Sequence, residues 1–462
     1  MDMLQSIVLY LDDPYLVARF QRFCGLSYNE NSARSAPSSN MYSQSGLKNS
    51  SIVFRDEDDP WKVCHYDQNG AKVPDEDESS DKCIRRNVKA PKPSGVTETD
   101  AAADQVNLQN GGQPIKNTTS NPDGKKNELP YKIQYKSLYY LFSFGAALGD
   151  ELFYTTFFPF ILWNLDFFVS RKVVVMWWIT LYLGQATKDI VKRPRPISPP
   201  VIKLEARYEL EYGMPSTHAM VGTCIPFSML YLFHQRYDFP FNIGLMLAIA
   251  WTTLISLSRI YLGMHSVLDI IVGVLYVCII LPLIYPYLQV LDHFSVTHPV
   301  APFFTIGVPF LLCLLYPPVD KWNTARRDTT LLIGVGAGIS VGSWLCYQHG
   351  FATSSYPIPV PLELPSITAV ILCFIRLIIG VPIMLITAEL LRLIIRNICK
   401  HIFGINIKDP KIKRMQIYEL TDSFLPFLIV AINVTYGIPM IFSVLGIDRP
   451  SYYAEILPPV SI

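Results

Sequence analysis

Ser258-Arg259-Ile260-Tyr261-Leu262-Gly263-Met264-His265-Ser266-Val267-Leu268-Asp269 lies between two long apolar runs, Phe241 to Leu257 and Val267 to Leu288. Ser258, Arg259, His265 and Asp269 stand where a lipid-facing helix avoids polarity. Ionisable groups at membrane depth are costly enough to mark a functional site. His265 and Asp269 are four apart, so a helix that starts near His265 puts the carboxylate one turn away on the same face. A carboxylate so placed fixes the tautomer of a histidine and stabilises its cation, the base-plus-orienter pattern of many nucleophilic sites. Taken alone, the stretch reads equally as an interfacial Arg and His capping two helices.

The surrounding chain has the composition of a membrane protein. Half of its 462 residues are hydrophobic and the mean hydropathy is +0.26. That is too apolar for an ordinary soluble domain and points to several spans. The net charge of +1 gives no sign of a nucleic-acid partner. Nine cysteines show neither metal-ligand nor disulfide spacing and read as reduced apolar fillers.

Four regions follow in order. Residues 1–26 are a short amphipathic N-terminal segment. In it Asp13 caps, and Pro14 begins, a helix that either lies on a membrane surface or packs against the body. Residues 27–132 are rich in Ser, Asn, Asp, Lys and Gly, and their composition predicts a disordered polar tail. Its sequons at Asn49 and Asn117 matter only if the tail is lumenal. Residues 133–290 hold the polar clusters, and residues 291–462 are additional C-terminal transmembrane helices. Apolar segments begin near Leu138, interrupted at Gly149-Asp150-Glu151. They continue as Val173 to Val191, Ala219 to Phe233, Phe241 to Leu257, Val267 to Leu288, Ala301 to Leu315, Thr330 to Cys346, Ile367 to Ile395 and Phe424 to Leu445. The predicted fold is all-α, a polytopic membrane helix bundle of about nine or ten spans. Asn433, in a third sequon, is expected to be buried in a span and unmodified.

Two further polar clusters join the first. Lys188-Asp189-Ile190-Val191-Lys192-Arg193-Pro194-Arg195-Pro196 ends one span, and Pro215-Ser216-Thr217-His218 begins the next. Because spans alternate in direction, all three clusters emerge on one membrane face, with the 193–214 loop able to cover them. Lys188, Arg195 and Arg259 are three cations with no equal number of local acids. Arginine offers a planar donor fork for phosphate oxygens and lysine a point charge. Ser216 and Thr217 precede a helix, where backbone N–H groups favour an anion. A histidine on each side of a bound phosphate suits in-line phosphoryl transfer, one attacking phosphorus and the other protonating the leaving alkoxide. Without an acidic cluster for two metals, the expected chemistry is metal-independent and needs no cofactor. Each of the two further clusters, by itself, also reads as a basic flank or an ordinary helix cap.

These residues resemble the three signature motifs of the type 2 phosphatidic acid phosphatase superfamily, K-x6-R-P, P-S-x-H and S-R-x5-H-x3-D. Here they are Lys188, Arg195 and Pro196; Pro215, Ser216 and His218; and Ser258, Arg259, His265 and Asp269. The resemblance implies a helical phosphatase core and a phosphohistidine intermediate. It makes His265 the nucleophile, Asp269 its orienter and His218 the acid and then the base. Lys188, Arg195, Ser216, Thr217 and Arg259 would hold the phosphate. The flanks are similar to the sphingosine-1-phosphate phosphatase branch, in Tyr212-Gly213-Met214 before the second motif, in Thr217 within it, in Leu16 to Gly25 and in Gly149 to Tyr154. That likeness implies a phosphorylated sphingoid lipid as substrate, an endoplasmic reticulum membrane location and a lumenal site; a homodimer is left open. Against it, strict alternation puts Arg326-Arg327 and the Arg392 to Arg414 stretch on the active-site face, where the positive-inside rule wants few cations. Arg376 and Pro382, inside the Ile367 to Ile395 run, mark where a span could be miscounted. Two readings stay open beside the first. One is a broader lipid phosphate phosphatase acting on phosphatidate, lysophosphatidate or a polyprenyl phosphate. The other is a non-catalytic lipid-binding or transport protein on the same fold.

Overall fold

Every apolar run named above is helical in the computed structural model, which describes residues 2–28, 52–55, 63–66, 72–73, 131–205, 210–318, 324–351, 360–361, 365–403 and 419–449. Two short helices, α1 (Asp2–Leu11) and α2 (Pro14–Phe23), come first, followed by strand β1 (Leu26–Tyr28). Residues 30–129 form a separate compact unit. Its described residues are a three-stranded antiparallel sheet of β2 (Ile52–Arg55), β3 (Val63–Tyr66) and β4 (Lys72–Val73), with Ile52 opposite Tyr66 and His65 opposite Val73. The chain re-enters the larger unit through β5 (Tyr131–Ile133), which pairs antiparallel with β1, Leu26 opposite Ile133 and Tyr28 opposite Tyr131.

The predicted disorder over 27–132, like the sequons at Asn49 and Asn117, lies mostly outside the described residues. At its edges the structure differs from that expectation. Both ends are strands held together, so the stretch is an insertion between two anchored points. Runs of three residues are too short to show periodicity, which is why composition alone missed them.

Then come α3 (Lys136–Ala147), α4 (Glu151–Asn164), α5 (Phe167–Val191), α6 (Thr217–Arg236), α7 (Phe241–Tyr261), α8 (Val267–Thr297), α9 (Ala301–Leu314), α10 (Ala325–Gln348) and α11 (Ile367–Phe403). The last helix, α12 (420–444), alternates π and α turns. Among the described residues, six helices are long and apolar enough to cross a membrane: α5, α7, α8, α10, α11 and α12. The α6 helix, at 20 residues, is less apolar, and α3, α4 and α9 are shorter.

Local sequence sets the ends. Asp166 caps α5 by accepting from Val169 N, 2.9 Å away, and also takes the Tyr237 hydroxyl at 2.6 Å. Arg171 makes a fork of 2.8 and 2.9 Å onto Asp292 of α8, closing the same end of the bundle. The α10–α12 contact depends on small residues four apart. A Cβ at Gly338 would stand 2.2 Å from the Leu428 carbonyl oxygen, and one at Gly334 would stand 2.6 Å from that of Phe424. Helices approach this closely in membranes where small residues recur at such spacing.

The α11 helix is continuous through Arg376 and Pro382. Arg376 donates to the Ile447 carbonyl at 2.7 Å and to Asn164 Oδ1 at 3.0 Å. The span parity therefore holds, and Arg326, Arg327 and Arg396 do lie at the active-site end, with Arg414 outside the described residues. They are not bare charges there. Arg326 is paired with Glu419, and Arg327 and Arg396 with Asp422.

Candidate active site

The three motifs converge at one end of α5, α6, α7 and α8. Lys188 lies in the last turn of α5, 1% exposed, and its Nζ donates to Thr217 Oγ1 at 3.2 Å and to Glu211 Oε2 at 3.4 Å. The helix stops just after it, at Lys192 in a left-handed conformation (φ 55°). The chain then turns so that Arg195 points back inward. Its Nε donates to the Glu211 carbonyl at 3.0 Å and its Nη1 to the Met264 carbonyl at 2.8 Å. The same Nη1 stands 3.2 Å from His265 Nε2.

Ser216 caps α6 through its hydroxyl, which accepts from Ala219 N, and its own N–H donates to the Asp269 carbonyl at 3.1 Å. This backbone bond ties the second motif to the third. The Thr217 hydroxyl accepts from Lys188 Nζ at 3.2 Å and lines the cavity beside His218. His218, next along α6, faces the α3–α4 turn. Gly149 sits so close that a Cβ there would be 3.0 Å from His218 Cδ2.

His265 is fully buried between α7 and α8. The turn that delivers it requires Gly263 at φ +71°, where any Cβ would meet the Ile202 carbonyl oxygen at 2.4 Å. Its Nδ1 is 3.5 Å from Asp269 Oδ2. Asp269 is fixed in turn by a reciprocal capping box. Ser266 N donates to Asp269 Oδ2 at 2.9 Å, and Asp269 N donates to Ser266 Oγ at 3.2 Å, so two N-terminal amides of α8 are satisfied together. Burial, and then the cations Arg195, Lys188 and Arg259, hold the His265 imidazole well below the usual histidine range. The neutral, nucleophilic form is thereby favoured. Ser258 turns its hydroxyl back to the Ile255 carbonyl, 2.7 Å away.

Two residues were missed in the sequence. Arg259 donates to Glu205 Oε2 at 3.1 Å as well as to the Ala146 carbonyl at 3.0 Å. Glu211, 7% exposed, bridges Lys188 and Arg195 with one oxygen and accepts from Thr324 at 3.2 Å with the other. The sequence reading of three cations without matching acids is therefore corrected. The 193–214 loop carries both carboxylates back onto the cations, and the signal was there in its acidic run around Glu205 to Glu211.

The N-terminal segment packs against the body and takes part in the site's support. Gln21 of α2, 1% exposed, donates to the carbonyls of Ile202 at 2.6 Å and Tyr261 at 2.8 Å and accepts from Ile202 N at 2.9 Å. The β1–β5 pair packs on the same loops, with the Tyr28 hydroxyl donating to the Val201 carbonyl at 3.1 Å.

A cavity of about 360 Å³ opens from Glu211, Thr217 and His218. It runs between α4, α5, α6, α10, α11 and α12, walled by Phe158, Leu162, Trp177, Val335, Met384 and Val430. The lining is mainly apolar, with Glu211, His218, Asp328, Glu389 and Arg392 among its polar members, and an apolar cavity with a few polar groups suits a lipid ligand.

The chain is also similar to known proteins. The PAP2 superfamily matches residues 156–292. Sphingosine-1-phosphate phosphatase 1 of Rattus norvegicus is 42% identical over 328 residues, 70% of this chain and 76% of that protein. Sphingosine-1-phosphate phosphatase 2 of Mus musculus is 40% identical over 314 residues, 67% and 88% respectively. Lipid phosphate phosphatase delta of Arabidopsis thaliana is 30% identical over 227 residues, 47% and 55%. No solved structure matches the chain.

Proposed function

The chain belongs to the sphingosine-1-phosphate phosphatases of the PAP2 superfamily, and from that membership we propose that it hydrolyses sphingosine-1-phosphate and related long-chain base phosphates to the free base and inorganic phosphate. The observation that carries the mechanism is the environment of His265. Its Nε2 faces the Arg195 guanidinium at 3.2 Å, and its Nδ1 faces the Asp269 carboxylate at 3.5 Å. A phosphate held by Arg195 is thus presented to the ring nitrogen that carries the free electron pair. On the other side of the ring, Asp269 stabilises the positive charge that develops as the bond forms.

His265 Nε2 bonds to phosphorus, and the ester P–O bond breaks, with protonated His218 giving its proton to the departing alkoxide. Neutral His218 then takes a proton from water, whose oxygen attacks the phosphohistidine and frees inorganic phosphate and His265. Lys188, Arg195 and Arg259 neutralise the phosphoryl oxygens throughout, so no metal or other cofactor is required. The apolar cavity takes the sphingoid chain. Its walls include α10–α12, beyond the superfamily match at 156–292, so these helices act on tail selection and not on the chemistry. We place the protein in the endoplasmic reticulum membrane with the site facing the lumen.

The test is phosphate release from sphingosine-1-phosphate and from phosphatidate in chelator-treated membranes, wild type beside His265→Ala. Release from the sphingoid substrate alone, abolished in the variant, is expected. Equal release from both lipids overturns the substrate assignment, and undiminished release by the variant overturns the mechanism.

A further inference from the structure

The site's own residues carry at least as many carboxylates as cations. Lys188, Arg195 and Arg259 supply three cations, and Glu211, Glu205 and Asp269 supply three carboxylates in contact with them or with His265. Asp189, whose carboxylate takes the Tyr316 hydroxyl at 2.7 Å, only adds to the negative side. A lipid phosphate dianion brings two negative charges, and a proton taken up by His218 as the dianion binds offsets one. The other is left over. A buried carboxylate that loses its cations to an incoming phosphate is costly unless a new cation reaches it.

Glu211 is that carboxylate. Its Oε2 stands 3.4 Å from Lys188 Nζ and 3.9 Å from Arg195 Nη2, engaging the two cations that a bound phosphate requires, and it lines the cavity beside His218 and Thr217. Resting on the reaction proposed above, we propose that Glu211 is a specificity residue, which yields Lys188 and Arg195 to the phosphate and receives the ammonium of the sphingoid base. That ammonium is two carbons from the ester oxygen, so it arrives at the cavity mouth with the phosphate seated. Thr324, donating to the other oxygen of Glu211, keeps the carboxylate at the mouth during the exchange. A lipid phosphate without an ammonium leaves Glu211 uncompensated, and the same site rejects it. A site with a buried polar group that only the correct substrate satisfies discriminates far more strongly than an apolar pocket does.

The experiment compares kcat/KM for sphingosine-1-phosphate and for its analogue lacking the amino group, in purified wild type and in Glu211→Gln. Wild type prefers the ammonium substrate by about a hundredfold, and the preference falls at least about tenfold in the variant. Loss of activity on both substrates by the same factor overturns the proposal and makes Glu211 a structural clamp. A wild type that cleaves both equally also overturns it. A wild type that cleaves neither, while hydrolysing another lipid phosphate, removes the reaction reading itself. If Glu211→Gln does not fold, wild type alone answers through its headgroup fragments. Phosphoethanolamine inhibits at a concentration at least about tenfold lower than ethyl phosphate does, and equal inhibition overturns the proposal.

Discussion

Gln21→Ala removes no atom from the catalytic cluster, yet it cuts the main polar tie between the N-terminal helix and the loops that carry the site. The wild-type amide makes three bonds at 2.6, 2.8 and 2.9 Å, to two carbonyls and one N–H, all buried. Each buried partner left unsatisfied costs about 1–3 kcal/mol. Taking the low end for all three gives about 3 kcal/mol, because water entering the gap re-satisfies part of the loss. At roughly 1.4 kcal/mol per tenfold, the undocked state becomes about a hundredfold more populated. The Ile202 amide reports this directly, since its hydrogen is the one Gln21 Oε1 accepts. Hydrogen exchange at Ile202, measured by mass spectrometry on protein in nanodiscs, is expected to accelerate by about that factor. Phosphatase activity should fall in parallel, because Gly263 and the turn to His265 lie directly beneath the Gln21 side chain. Exchange at Ile202 within threefold of wild type would show that α2 is held by its apolar contacts alone and would refute the reasoning.

Asp269→Asn keeps the shape of the α8 cap but withdraws the charge from His265, and turnover is expected to drop by about 10²-fold or more with insertion intact. Unchanged turnover would remove Asp269 from the mechanism. Orthovanadate, which mimics five-coordinate phosphorus on histidine, should inhibit competitively, and full activity at saturating vanadate contradicts a phosphohistidine. Because the His265 imidazole is held well below its ordinary range, it stays neutral as the pH falls through about 6.5. Once corrected for ionisation of the substrate phosphate, kcat/KM should therefore show no loss from nucleophile protonation between about pH 7.5 and 6; such a loss, persisting when His218 is replaced, would assign an ordinary pKa to His265. With a lumenal site, the insertion that leaves the body beside the catalytic loops is lumenal too, so a glycosidase should shift the protein on a gel and Asn49→Gln with Asn117→Gln should abolish the shift. No shift in wild type, with modification of a sequon engineered at the other end of the bundle, would reverse the orientation.

Much of this site is written in three short motifs. Lys188, His218, His265 and Asp269 are each within a turn of a helix end, and a helix end is what apolar periodicity locates best. The helices themselves are legible for the same reason, as long apolar runs between polar breaks. The contributions that escape are those made by loops. Glu205 and Glu211 sit in an aperiodic stretch whose path back onto Arg259 and Lys188 is set by tertiary packing. Gln21 is a single polar residue on an amphipathic helix, and nothing in its neighbourhood distinguishes it from a solvated one. The role of α10–α12 in walling the cavity depends on how closely Gly334 and Gly338 let α10 approach α12, which no local pattern states. The Arg326 and Arg396 puzzle dissolves the same way, since their partners Glu419 and Asp422 are 93 and 26 residues away along the chain.

The β1–β5 ladder makes this protein a natural host for grafting. Tyr28 and Tyr131 are directly opposite each other on antiparallel strands, about 5 Å apart at Cα. A two-residue hairpin turn can replace everything between them, giving a shorter chain that keeps α2 on the catalytic loops. The same gap accepts any folded passenger whose own ends lie close together. A fluorescent reporter or an affinity handle placed there would ride on the catalytic face itself, leaving both chain termini untouched.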